Sequence, residues 1–130
     1  MNRFRVYEKG EPGFIATKLS IIEFQCRCKN ILCNIVLLDS KLASSWNSVR
    51  DQWGRPIFVT SGHRCYMYNE SVGGKAKSKH TKGSAIDLST IKLSKDEFGK
   101  FLKICEDNFD VVIPYLSNEG KCIFLHCHNN

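Results

Sequence analysis

Two residues seven apart, His80 and Asp87, are the pair in this chain best suited to holding an ion. A neutral imidazole nitrogen and a carboxylate oxygen are both ligands for first-row metals, and zinc takes them readily. Seven residues is too wide a gap for one helical face. A loop-borne histidine followed by an aspartate on an incoming strand can still converge on one ion, with Gly83 allowing the tight bend between them. A third ligand must come from elsewhere, and the other histidine-rich place is the C-terminal Phe124-Leu-His126-Cys-His128.

These residues belong to a longer pattern. Ser61-Gly62-x-Arg64-Cys65, Asn69, Val72-Gly73-Gly74, Ser78-x-His80-x-x-Gly83-x-Ala85-x-Asp87 and Phe124-Leu-His126 follow one another in order. The series resembles the signature of a zinc peptidase family: D-alanyl-D-alanine carboxypeptidases, D-Ala-D-Ala dipeptidases and phage peptidoglycan endopeptidases. The signalling domain of Hedgehog proteins shares its metal site. The resemblance implies one Zn2+ held by His80, Asp87 and His126. Three protein ligands leave a fourth position open, the pattern of a catalytic zinc. It also implies that Arg64 lies by the substrate, stabilising an oxyanion or holding a carboxylate, for which an always-charged guanidinium is suited. Ser78 is placed to donate a hydrogen bond to substrate. The structural alternatives are a salt bridge fixing the loop for Arg64 and local loop capping for Ser78.

The chain departs from the family pattern at three places. Position 63 is His where the family usually has Tyr, which alters substrate contacts from that side. Ile123 stands where related enzymes carry an acidic catalytic residue three positions before the last ligand. His128 replaces an aspartate common in the family's terminal F-[IV]-H-[IV]-D. A group is still needed to take a proton from water and return it to the leaving amine. The candidates are Glu119, on a turn before the last strand, His128, on the same strand face as His126, and Asp110. Glu119 is preferred, since a carboxylate is the usual base of zinc peptidases.

The expected function is therefore hydrolysis of peptide bonds in peptidoglycan stem peptides, as a D,D-carboxypeptidase or endopeptidase. The alternative is a zinc-containing binding module of the same fold with weak or no catalysis, favoured by the missing acid at position 123. The 130 residues form one domain's worth of chain, read as a single zinc peptidase-like domain over 1–130. A hydrophobic content of 42% with 25% charged residues is that of a globular protein, and no apolar run approaches a membrane span. Net charge is +6 with scattered lysines, which suits carboxylate-bearing stem peptides better than nucleic acid. A monomer with neither a membrane nor a nucleic-acid partner is expected. The N-terminus lacks the apolar region of a secretory signal. The expectation is synthesis in the cytoplasm and action on the wall after lysis, or as a virion component of a phage.

Seven cysteines are an odd number, and a reducing cytosol argues against a disulfide framework. Cys26-x-Cys28-x4-Cys33 could give three thiolates to a second, structural metal. It lacks a C-x2-C knuckle and a fourth ligand nearby, so buried free thiols are the preferred reading. A nucleic-acid factor built on such a Cys-rich zinc site would require these residues to bind metal.

The elements that must position the site read as follows. Residues 1–17 form a strand or arm anchored by Phe4, Val6 and Phe14. Ser20-Ile-Ile-Glu23 is a capping box opening a short helix. Asn34 caps a long helix whose stripe is Ile35, Leu38, Leu42, Trp46, Val49 and Trp53, stopped by Gly54 and Pro56. Residues 57–60 are a buried strand, 66–72 a brief helix, 75–83 a polar loop and 84–89 a strand carrying Asp87. Ser94-Lys-Asp-Glu97 opens a helix with Phe98, Phe101, Leu102 and Cys105 inward. Residues 110–116 and 121–128 are two strands, Pro114 pointing to an edge position or a bulge for the first. The order predicts an α+β fold: a small, mostly antiparallel sheet with helices packed on one face, Hedgehog/D-Ala-D-Ala-peptidase-like.

Overall fold

The computed structural model describes residues 3–130. Its fold is α+β, as the order of elements predicts. The central sheet is antiparallel throughout, with strand order β5-β6-β8-β7: β5 is Val59–Ser61, β6 Ala85–Ser89, β7 Val111–Leu116 and β8 Cys122–His128. Pro114 lies on β7, an edge strand, where its missing N–H leaves no ladder bond unmade. Two small two-stranded sheets precede it, β1 (Phe4–Glu8) with β4 (Ile35–Asp39), and β2 (Phe14–Ala16) with β3 (Leu19–Ser20).

Period-two alternation divides the two faces of the central sheet. On β6, Ile86 and Leu88 are fully buried and sit opposite Cys127 and Leu125 of β8. This apolar face meets helices α2 (Ser40–Trp53) and α4 (Lys95–Asn108), which supply Leu42, Trp46, Val49, Phe101 and Cys105 to one core. Full burial of a side chain such as Phe101 contributes about 2–3 kcal/mol. Buried Trp46 also donates its indole N–H to the Thr17 carbonyl at 2.6 Å, so no polar cost offsets its burial. The opposite face of β6 and β8 carries Asp87, His126 and His128.

Both capping boxes are present. Ser20 opens the one-turn helix α1 (Ile21–Phe24), and Ser94 opens α4. The helix expected from residue 35 begins five residues later. Residues 35–39 are β4, and the N-cap is Asp39, not Asn34. Within β4, Val36 and Leu38 are buried while Ile35 is 48% exposed, an alternation of strand period. Leu38 faces inward under either periodicity, which let the helical stripe run backwards into the strand. From Leu42 to Trp53 the stripe is as predicted, and Gly54 ends it in the left-handed conformation. The N-terminal anchors also differ. Val6 and Phe14 are largely exposed, and Ile15 fills the core in their place.

Asp39 joins these layers. Its buried carboxylate receives Arg3 through two bonds of 2.7 Å, the Ser84 hydroxyl at 2.8 Å and the Lys41 N–H at 3.0 Å. Its own N–H donates to the Gly83 carbonyl at 3.0 Å. Burial opposes the charge, but these four donors hold the carboxyl below its ordinary pKa. The β1–β4 ribbon is thereby fastened to the segment leading into β6.

Candidate metal centre

Register alone sets two of the three expected ligands side by side. Asp87 on β6 pairs with His126 on β8, and Ser61 on β5 pairs with Asp87, so one row of the sheet reads Ser61, Asp87, His126. His80 comes from a 3-10 turn, Lys79–Lys82, immediately before β6. Ser78 caps this turn, its Oγ accepting the His80 N–H at 3.2 Å, and Gly83 closes it at φ +69°. A side chain at 83 would also strike the Leu37 carbonyl, so the motif's glycine answers both a left-handed φ and a close backbone approach.

The ligand atoms converge. His80 Nε2 is 3.2 Å and His126 Nδ1 3.0 Å from the same carboxylate oxygen, Asp87 Oδ1. His80 and Asp87 are buried, and His126 retains some exposure. The second nitrogen of each ring is held elsewhere. His80 Nδ1 lies 2.7 Å from the Gly62 carbonyl, which can only accept, so that nitrogen carries a proton. His126 Nε2 lies 2.9 Å from His128 Nδ1. Neutral rings with those protons turn two lone pairs and a carboxylate oxygen onto one point, an arrangement that calls for a cation.

Zinc fits this donor set. Ligands about 2.05 Å from a tetrahedral ion stand about 3.3 Å apart, close to the spacing found. The outward bonds to Gly62 and His128 are the partners that orient metal-binding imidazoles. Burial alone would raise the Asp87 carboxyl. Without an ion the two rings can instead turn protons toward Asp87, and hydrogen bonds from His126 and His80 then outweigh burial and pull its carboxyl pKa down to about 2.

Arg64 braces the carboxylate from its other side. Nη2 is 3.5 Å from Asp87 Oδ2, while Nε donates to Ser61 Oγ at 3.0 Å and Nη1 to Asn69 Oδ1 at 3.3 Å. Asn69 is fixed in turn by donating to the Lys75 carbonyl at 2.8 Å. The motif's asparagine thus serves to hold the guanidinium.

The remaining expectations divide. His63 does not face substrate. It is buried behind the site, and its Nδ1 accepts the Leu37 N–H at 3.3 Å. Burial, with opposing charge from His80 and Lys9, lowers its pKa to about 4, so the ring is neutral. Glu119 is exposed on the β7–β8 turn at the far end of the hairpin. Cys122 and His126 lie four positions apart on β8, about 13 Å, and the turn lies beyond that. Asp110 is engaged with Lys41 at 2.8 Å and the Asn130 N–H at 2.8 Å. Among the described residues, Asp87 is the one carboxylate in contact with the histidines. Burial and the neighbouring His126 lower the pKa of His128.

Sequence reasoning missed two contributors. Tyr115 on β7 stacks on Phe124 with centroids 4.6 Å apart and lies 6.5 Å from the His126 ring, forming an aromatic wall beside the cluster. Cys65 follows Arg64, and its sulfur meets the cluster of Cys26, Cys28 and Cys33. Burial of free thiols describes Cys105, Cys122 and Cys127, whereas Cys28, Cys33 and Cys65 are only partly covered.

The profile of the family described as Peptidase M15 matches residues 17–119, well over half of the chain. The match includes His80 and Asp87 and ends before His126. A search of curated proteins gave no match. The chain belongs to the M15 family of zinc peptidases. Among the described residues, no helix is long and apolar enough to cross a membrane.

Proposed function

We propose that this M15 metallopeptidase cleaves peptide bonds in peptidoglycan stem peptides, as a D,D-carboxypeptidase or endopeptidase. It is read as a monomeric phage-type protein acting on the wall after lysis or from a virion. The observation that carries this reading is the convergence of His80 Nε2, Asp87 Oδ1 and His126 Nδ1 beside a charged Arg64. In it, His80, Asp87 and His126 hold zinc, which when bound supplies Lewis acidity that polarises a carbonyl and makes water acidic near neutral pH.

The chain's own residues do the rest. Arg64 Nη2 makes the longest of the three guanidinium contacts, so this nitrogen can exchange Asp87 for a substrate carboxylate or a developing oxyanion. Ser78 accepts the His80 N–H and keeps its own hydroxyl hydrogen to donate to substrate. His128 accepts from His126 at Nδ1, which leaves its proton on Nε2, where it can donate to a substrate or leaving-group atom. The net charge of +6 favours a substrate rich in carboxylates.

A second reading, a zinc-bearing module that binds wall peptides with weak or no turnover, is favoured by one specific observation. No carboxylate besides Asp87 touches the cluster among the described residues, and Glu119 is remote from it. The deciding experiment incubates the zinc-loaded protein with purified peptidoglycan and with a stem pentapeptide ending in D-Ala-D-Ala. Free D-Ala or new amino termini that disappear with a chelator are the expected result. Saturable binding of the same fragments, with zinc retained and no product, would transfer the assignment to the binding module.

A further inference from the structure

A second convergence of metal-ligating atoms includes Cys65, the residue after Arg64. The sulfurs of Cys26, Cys28, Cys33 and Cys65 lie within 4.8 Å of one another. Cys65 Sγ is 3.9 Å from Cys28 Sγ, and all four cysteines are free. A disulfide would need about 2.05 Å. Four sulfurs each about 2.3 Å from a tetrahedral ion stand about 3.8 Å apart, close to the 3.9 Å between Cys65 and Cys28 and within the 4.8 Å that bounds the whole set.

The surroundings suit sulfur in its anionic form. The Cys65 N–H donates to Cys26 Sγ at 3.3 Å, and Lys9 Nζ lies 3.5 Å from Cys28 Sγ while bonding the Cys28 carbonyl at 3.0 Å. The local chain is held by polar contacts and not by packing. Residues 25–34 contain neither helix nor strand, and Ile31 and Leu32 are 90% and 83% exposed, so no apolar side chain at the tip anchors the loop. Arg27 bonds the Thr60 and Val59 carbonyls at 2.9 and 3.1 Å, and the cysteine cluster adds a tie to the next segment, its fourth member adjoining the arginine that braces Asp87.

We infer that Cys26, Cys28, Cys33 and Cys65 bind a second, structural zinc ion that pins the 25–34 loop to the segment carrying Arg64. The site is closed, with four thiolates and no open position, so its role is cross-linking. It takes zinc in preference to harder divalent ions because thiolates are soft ligands. Metal-bound thiolates also explain why four cysteines gather where three of them are partly exposed. The inference stands independently of which function the histidine cluster performs.

The test uses the whole chain, purified without chelator, with metal measured per chain and zinc then replaced by cobalt(II). About two zinc ions per chain are expected, together with an intense thiolate-to-cobalt charge-transfer band. His80→Ala should lose about one zinc and keep the band. Cys28→Ser combined with Cys33→Ser should lose the other zinc and abolish the band. If that variant fails to fold, the wild-type cobalt spectrum decides, along with release of about one zinc by a thiol-specific mercurial. One zinc with no thiolate band, iron in place of zinc, or an intact mass reduced by the hydrogens lost in disulfides would each overturn the inference. His80→Ala scores the histidine cluster separately, so failure of one site is distinguishable from failure of the other.

Discussion

Gly83 is the residue at which the fold and the metal centre both depend on a missing side chain, and replacing it couples their costs. Its φ is +69°, and a Cβ there would come within 1.9 Å of the Leu37 carbonyl oxygen and 2.5 Å of its carbon. The left-handed backbone costs an alanine about 1 kcal/mol. The clash adds about 2–3 kcal/mol, because the obstacle is backbone that is itself paired in the β1–β4 ribbon. Gly83→Ala should therefore destabilise the zinc-saturated protein by about 3–4 kcal/mol, read as the shift in urea midpoint multiplied by the slope. Gly54→Ala shares the positive φ, at +70°, but meets nothing within 4 Å, so it should cost only about 1 kcal/mol. Gly99→Ala lies inside α4 with open space around it and should stabilise by about 0.5–1 kcal/mol. Zinc affinity should fall in the first variant alone, because displacing Gly83 moves the His80 turn relative to Asp87. A Gly83→Ala cost equal to that of Gly54→Ala would refute the close approach to Leu37 and, with it, the coupling of ribbon to site.

The other expectations concern single side chains. Arg64→Lys should lower kcat/KM by about 10-fold or more with charge kept, since an ammonium cannot meet Ser61, Asn69 and Asp87 together; an unimpaired lysine variant would show the fork to be dispensable. His128→Ala should weaken zinc binding by about 10–100-fold through loss of the partner that orients His126. Glu119→Gln should leave both zinc binding and turnover unchanged, and a large loss of turnover would restore Glu119 as the base. His63 gives a pH signature. Its folded pKa of about 4 lies below the unfolded value near 6.5, so the unfolded chain binds the extra proton. Its contribution is full above pH 6.5 and is lost as pH falls toward 4, to a total of about 3 kcal/mol. Comparing urea midpoints of the wild type and His63→Gln across that window isolates it, because acid release of zinc is common to both proteins; parallel curves would mean that His63 is not buried neutral.

What was legible in the sequence follows from how far each constraint reaches. Capping boxes, the Leu42–Trp53 stripe, the Gly54 stop and the edge position of Pro114 are local, and each was readable within a few residues. Residues 35–39 were misread because the competing signal is distant: β4 exists through its pairing with β1, thirty residues earlier, and Asp39 is a cap whose carboxylate is also claimed by Arg3 and Ser84. The site shows the same division. His80, Asp87 and His126 could be named from motif order, but their atoms meet only because Asp87 and His126 fall in register across β6 and β8. Carboxylate chemistry favours Glu119 as the base, but the hairpin converts its seven residues from His126 into separation along a strand. The missing fourth thiol illustrates the converse. Cys65 lies 32 residues beyond Cys33 and inside the arginine motif, where it reads as part of that motif. What brings it to the cluster is the packing of Gly62 against Phe24, so close that a Cβ at 62 would overlap the Phe24 backbone and ring, together with the His63 N–H bond to the Phe24 carbonyl at 2.8 Å. Phe24 immediately precedes the cysteine loop, so the contact that seats the Arg64 segment also delivers its neighbouring thiol to the other three. In this chain the glycine of the S-G-x-R motif serves the cysteine cluster and the bracing of the histidine cluster at once.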